Sequence, residues 1–315
     1  MLRFIFNRLL ILIPLMLGVS IVVFLLLHFG PNDPAISYVR LSGIPATDQA
    51  IETARRTLGL DKPLVTQYVN WLAGAIRLDF GNSYITGRPV TEHLLHYLPN
   101  TLYLATVSML ITVLMSVPLG IVAAVKKNRM PDHFSRILAY IGVSTPSFWL
   151  AFLLMLLFSI KLKWLPPMGL GGLSYVIMPA FTAAFMSTCI NMRLIRGSML
   201  EQMHTRHVLY ARIRGVRERT ILKDHIFKNS LIPVVTAMGM HMGEILGGAI
   251  IAETIFAWPG VGRYAVSAIN NRDFPVLQCF VLMMTGIFVI FNLVTDLIYA
   301  ALDPRIRIEN GGRHA

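Results

Sequence analysis

The chain has 315 residues, of which 55% are hydrophobic and only 14% charged, with 28 Lys and Arg against 16 Asp and Glu. Soluble domains carry about 25% charged residues, and the mean hydropathy here is +0.62, which excludes a soluble fold. The basic surplus is the sign of charge retained on one face of a bilayer, not of a nucleic-acid surface.

Several apolar stretches exceed the ~18 residues that cross a bilayer as a helix. Arg3 and Arg8 introduce an apolar run from Leu9 to Leu27. The run is longer than the core of a secretory signal and no A-x-A-like site follows, so it reads as an uncleaved first span. Six spans are predicted, over 8–29, 100–125, 135–161, 177–199, 229–253 and 277–301. The fold class is therefore an all-α polytopic membrane protein. Pro118, Pro146 and Pro179 fall inside or near the starts of spans, where neighbouring helices absorb kinks. Cys189 and Cys279 stand in apolar segments without C-x-x-C spacing and are assigned to packing.

Charge placement sets the topology. Arg3 and Arg8, then Lys126, Lys127, Arg129 and Arg136, then the cluster within 193–228, then Arg305, Arg307 and Arg313 all fall on one side. Basic residues in short loops mark the cytoplasmic face, so both termini are expected there. The organisation is then a first helix with its cytoplasmic end (1–29), an external helical loop (30–98), a five-helix core (99–301) with a cytoplasmic loop at 200–229, and a cytoplasmic tail (302–315).

The external loop is longer than a connector needs. "ATDQAIETARRTLGL" opens with Thr47 as a helix cap and closes at Gly59. "DKPLVTQYVNWLAGAIRL" offers Asp61 as a cap, Pro63 in the first turn, and a stripe of Leu64, Tyr68, Trp71, Leu72, Ala75 and Ile76 at helical spacing. These segments form a small helical cap, either a packing lid or a binding surface.

The stretch "YARIRGVRERTILKDHIFKNS" (210–230) concentrates Arg212, Arg214, Arg217, Arg219, Lys223 and Lys228 between greasy neighbours. Helix-forming residues lie on both sides of Gly215, which can take the left-handed conformation that ends a helix. The product is a helix–turn–helix excursion. Such a helix can lie in a groove on a partner or on anionic lipid.

Here the chain resembles a known family. "YARIRGV…NSLIPVV" is similar to the coupling loop of permease subunits in binding-protein-dependent ABC importers. Its pattern is a small residue, then Gly, then I/L-P, matched by Ala211, Gly215, Ile232 and Pro233. Tyr210 stands where the commonest version has an acid, as in the dipeptide/oligopeptide/nickel branch. "STPSFWLAFLLMLLFS" (144–159), "DFGNSYITGRPV" (79–90), "ETIFAWPGVGRYAVSAINNRDFPVLQ" (253–278) and "DLIYAALDPRIR" (296–307) resemble that branch too, whereas "GPNDP" (30–34) departs from its usual "PGDP". The resemblance implies the six-helix, type I importer (MetI-like) permease fold. It implies a second homologous permease, two ATP-binding subunits gripping Tyr210, Ala211, Arg212, Arg214 and Gly215, and an external solute-binding protein. The chain would bind no cofactor of its own. It has no G-x-x-x-x-G-K-[ST] phosphate loop, and ATP and magnesium are used by the partner subunits.

The cargo is sought in "AMGMHMGEILGGAIIAE" (237–253), where His241 and Glu244 share a helix face beside Met240 and Met242. Imidazole and carboxylate suit Ni²⁺, and "GMHMGE" resembles the nickel permeases, so nickel, free or chelated, is the expected solute and His241 and Glu244 its transient contacts. The alternative is a dipeptide or oligopeptide permease in which the pair is a structural hydrogen bond. Glu253 is expected to cap or orient the following loop, Asp296 to bond internally near Asn292, and Arg193 and Arg196 to snorkel from the last turns of the fourth span. His204, His207 and His225 are expected on solvated surface. An enzyme is disfavoured by the absence of H-E-x-x-H and G-x-S-x-G, and a secondary transporter by the absence of an internal repeat.

Overall fold

The computed structural model describes residues 2–29, 33–43 and 45–302. The chain divides into two compact units, one of residues 1–101 with 259–289 and one of 102–258 with 290–315.

The first unit contains α1 (Leu2–His28), α2 (Pro34–Leu41), α3 (Asp48–Thr57), α4 (Leu64–Ile76), the start of α5 (Val90–Val125), α12 (Val261–Asn271) and the start of α13 (Phe274–Leu302). Asp33 and Pro34 begin α2 as cap and first residue: the Ala35 amide donates to Asp33 Oδ1 at 2.8 Å, and proline suits a first turn that has no use for its amide. Arg55 of α3 reaches the same carboxylate at 2.5 Å, while Ala35, Val39 and Ala54 bury one face of the pair. Thr47 accepts from the Ala50 amide at 3.2 Å to open α3, and Gly59 follows it at φ +69°. Asp61 does not cap α4. Pro63 occupies the cap position, with no side-chain cap bond, which leaves Asp61 two residues too early. Cys279 packs with Val90, Leu94, Val261, Ala268 and Val276.

The second unit holds the rest of α5 and α13, α6 (Met130–Ser144), α7 (Ser147–Leu154) continuing as a π-helical stretch to Lys161, α8 (Leu173–Met203), α9 (Arg206–Ile213), α10 (Glu218–Thr220), a π-helical stretch over Ile221–Phe227, and α11 (Lys228–Ile255). Among the described residues five helices are long and apolar enough to cross a membrane, or six if the bent pair α6–α7 counts as one span. Within the predicted span over 135–161 the chain forms two helices bent by 107°. The cause is local. Pro146 has no amide to continue the ladder, and Thr145 before it is extended at φ −87°, ψ 118°, as a residue preceding proline prefers.

Small residues let the helices of this unit approach closely, which substitutes for hydrophobic driving force in lipid. A Cβ on Gly142 of α6 would lie 2.3 Å from Cys189 Sγ of α8, and one on Gly120 of α5 would lie 2.8 Å from Ile195 Cβ. Asp132 of α6, fully buried, receives two hydrogen bonds from Arg196 of α8, at 2.5 and 3.0 Å. Arg196 is therefore an ion-pair partner rather than a free snorkelling cation. Because α8 runs on to Met203, neither Arg196 nor the exposed Arg193 lies in its last turn.

Candidate functional site

The basic loop is built on a buried anchor. Val208 and Ala211 of α9 pack with Ile195 and Met199 of α8, Ile221 and Ile226 of the π-helical stretch, and Val234 of α11. The three-residue spacing of Val208 and Ala211 puts both on one helical face. After Ile213 the chain reverses in a Schellman motif. Gly215 N–H donates to Arg212 O at 2.9 Å and Val216 N–H to Ala211 O at 3.1 Å, the two bonds that motif requires. Gly215 has φ +76°, and nothing lies within 4 Å of a Cβ built on it. The demand for glycine there is one of backbone angle, not of space.

Opposite the anchor, Leu209, Tyr210 and Ile213 are 57%, 65% and 72% exposed, amid Arg206, Arg214, Arg217 and Arg219. Arg212 turns back instead and bonds Glu218 Oε1 at 2.8 Å across the turn. The site residues Tyr210, Ala211, Arg212, Arg214 and Gly215 are thus contiguous but not equivalent. Tyr210 is displayed, Ala211 is anchored, Arg212 braces the turn and Gly215 makes it. Leu209 and Ile213 were not singled out from the sequence; the signal was an apolar pair at i, i+4 on the face opposite Val208 and Ala211. At the re-entry, Ser198 of α8 donates to Ser230 O at 3.2 Å. The side chain of Ile232 lies outside the described residues, as do that of Asp296 and the tail from 303 onward. His204 and His207 are bonded locally, to Leu200 O at 2.7 Å and near His225 O at 3.4 Å.

In α11, His241 Nδ1 lies 2.6 Å from Glu244 Oε2. His241 is 5% exposed, and its Nε2 is buried with no partner among the described residues. Ser187 of α8 approaches Glu244 Oε2 at 3.5 Å. Met240 is 66% exposed while Met242 is 6% exposed, so the methionines lie on different faces and Met240 does not join the pair. Among the described residues, no group of three His, Cys, Asp or Glu side chains is placed to hold a metal. The arrangement is a self-bonded pair with one shielded imidazole nitrogen, and a cation could reach only the half-exposed carboxylate. Glu253 is fully buried, and its carbonyl accepts from the Trp258 amide at 2.9 Å, closing the turn after α11.

Residues 116–308 match the family described as the binding-protein-dependent transport system inner membrane component, and residues 1–105 match its N-terminal region. The chain is 40% identical over 308 residues to the glutathione transport system permease protein GsiC of Escherichia coli K12, covering 98% of this chain and 99% of that one. The GsiC protein of Salmonella typhimurium matches at the same identity and coverage. Among solved structures, the inward-facing MetNI methionine ABC transporter superposes with a TM-score of 0.57 at 15% identity, over 67% of this chain and 96% of that chain. An amino acid ABC transporter crystallised with histidines gives 0.55 at 15% identity, over 67% and 94%. At such identity these two structures bear on the fold alone.

Proposed function

Since the chain belongs to the family of binding-protein-dependent transport system inner membrane components, the permease subunits of ABC importers, we propose that it forms half of a pore for a peptide-type solute such as glutathione. The observation that carries the solute class is the 40% identity to glutathione permeases along 98% of the chain. ATP hydrolysis lies in partner subunits. A second permease completes the pore, and a binding protein delivers the solute.

The nickel expectation is replaced by its alternative. It rested on the likeness of "GMHMGE" to nickel permeases, and the relatives found carry the name of a peptide-type solute instead. The geometry at His241 fits that exchange. A buried imidazole already bonded to its neighbouring carboxylate is a structural pair in a span, and the half-exposed Glu244 adds polarity to the pathway.

The basic loop is the handle for the ATP-binding subunits, on the cytoplasmic side with both termini. Leu209, Tyr210 and Ile213 form an apolar ridge for a groove, and the surrounding arginines fix its register. A lipid-lying loop would use the charge but would gain nothing from a rigid Schellman turn. ATP-driven closure of the partners biases the inward- and outward-open states through this ridge, and solute binding must bias ATP binding equally in return. The test is uptake of radiolabelled glutathione and of radioactive nickel in a strain lacking the gene, with and without its restoration. Restored glutathione uptake alone is expected; restored nickel uptake alone overturns the solute class.

A further inference from the structure

The 79–90 turn helps to wall a cavity of about 720 Å3 within the first unit. Small-molecule sites generally occupy about 300–1,000 Å3. The other walls come from the end of α1, α2, the end of α3 and the α3–α4 connection, α4 and the start of α13.

One wall is fixed by its own hydrogen bonds. His28 Nε2 lies 2.9 Å from Gln67 Oε1, and Gln67 Nε2 donates to the carbonyls of Leu60 at 3.2 Å and Lys62 at 2.7 Å. Beside this ordered wall, Gln278 of α13 lines the cavity at 6% exposure, and a side-chain amide can pair donor and acceptor with a peptide group. The Trp71 indole on the same cavity has its Nε1 buried without a partner among the described residues, and a buried donor left so costs about 1–3 kcal/mol, which a ligand with an acceptor would relieve. Lys62 and Arg56 line the cavity, Arg56 already paired with Glu52 at 3.3 Å, and no Asp or Glu is among the described lining residues. Burial pushes the Tyr84 phenol up, so that wall stays neutral.

We propose that this cavity binds a short peptide or peptide-like molecule with a free carboxylate. Lys62 takes the carboxylate, Gln278 pairs donor and acceptor with a peptide group, the Trp71 indole donates to a ligand acceptor, and the faces of Phe24, Tyr38 and Tyr84 take the apolar part. The ligand class rests on the importer function proposed above; the cavity's polarity and its unpartnered Trp71 indole N–H do not. On the proposed topology the cavity lies on the outer side and holds solute before it enters the pore.

The test uses the assembled importer in lipid nanodiscs without its binding protein, and radiolabelled glutathione as the probe. Saturable binding is expected, weakened at least tenfold by Gln278→Glu and by Lys62→Glu. Gln278→Glu keeps the side-chain volume while removing the N–H donor that meets the peptide group and adding a negative charge to the cavity, and Gln278→Leu removes the amide in a variant whose stability is measured separately. No saturable binding, or binding unchanged in both charge variants, overturns the proposal. Cellular uptake measured alongside separates the two claims. Glutathione uptake without such binding overturns the cavity and leaves the pore, whereas variant-sensitive binding without uptake supports the cavity and overturns the solute assigned to the pore.

Discussion

Ser83 donates a hydrogen bond of 2.5 Å to Asp273 Oδ2 across a sequence separation of 190 residues. Both are buried, at 2% and 1% exposure. Ser83 Oγ also accepts from the amides of Ile85 and Thr86, at 3.2 and 3.1 Å. One hydroxyl thus ties the turn of "DFGNSYITGRPV" to the α12–α13 junction in "NNRDFP". Ser83→Ala leaves the Asp273 carboxylate buried without this donor, and its other oxygen already has no partner among the described residues. The expected cost is about 1–3 kcal/mol, read as a lower unfolding temperature of the purified protein, and Asp273→Asn should cost less. Equal stability of Ser83→Ala and the parent would contradict this role.

The pair of Asp132 and Arg196 is asymmetric in its consequences. Arg196→Met strands a fully buried carboxylate, with Arg136 left at 3.8 Å. Removing one partner of a buried pair costs about 3–5 kcal/mol. Adding Asp132→Asn to Arg196→Met should recover much of that loss, because the charge itself is gone. Thermal unfolding of the two single variants and the double variant measures it.

In the basic loop, Gly215→Pro removes the amide that bonds Arg212 O and forbids φ +76°. The ridge should then be misplaced while the ATP sites stay intact. ATP hydrolysis by the reconstituted importer is expected to continue, with transport reduced at least tenfold. Ala211→Trp, which overfills the anchor at a 7%-exposed position, should act in the same direction. Unchanged coupling in both would remove the handle from this loop.

At His241, Glu244→Gln keeps an acceptor for the imidazole N–H and removes the negative charge. A structural pair tolerates this, so glutathione uptake should stay within about twofold of the parent. A selective loss of nickel accumulation in this variant would instead restore the metal contact.

Much of the fold was legible because its signals are local. Thr47 and Gly59 mark α3 by chemistry that acts within one turn, and the long apolar runs mark spans by composition. What local signals do not carry is direction in space. Pro146 marks a kink in the apolar run but not its size, and here it separates two helices by 107°. Asp61 has the right residue type for a cap, but Pro63 takes the position. At the candidate site, His241 and Glu244 come together because i, i+3 spacing is enough to join them. Met240 does not, since one residue along a helix rotates a side chain by about 100°. Arg196 with Asp132, and Ser83 with Asp273, join residues far apart in the chain, and no periodicity announces them.

The central claim is best tested by ATP-driven transport in proteoliposomes containing this chain, its partner permease and the two ATP-binding subunits, with the binding protein and labelled glutathione outside. The account predicts accumulation that requires ATP and the binding protein and is stopped by vanadate. Accumulation driven by membrane potential alone and indifferent to vanadate would contradict it.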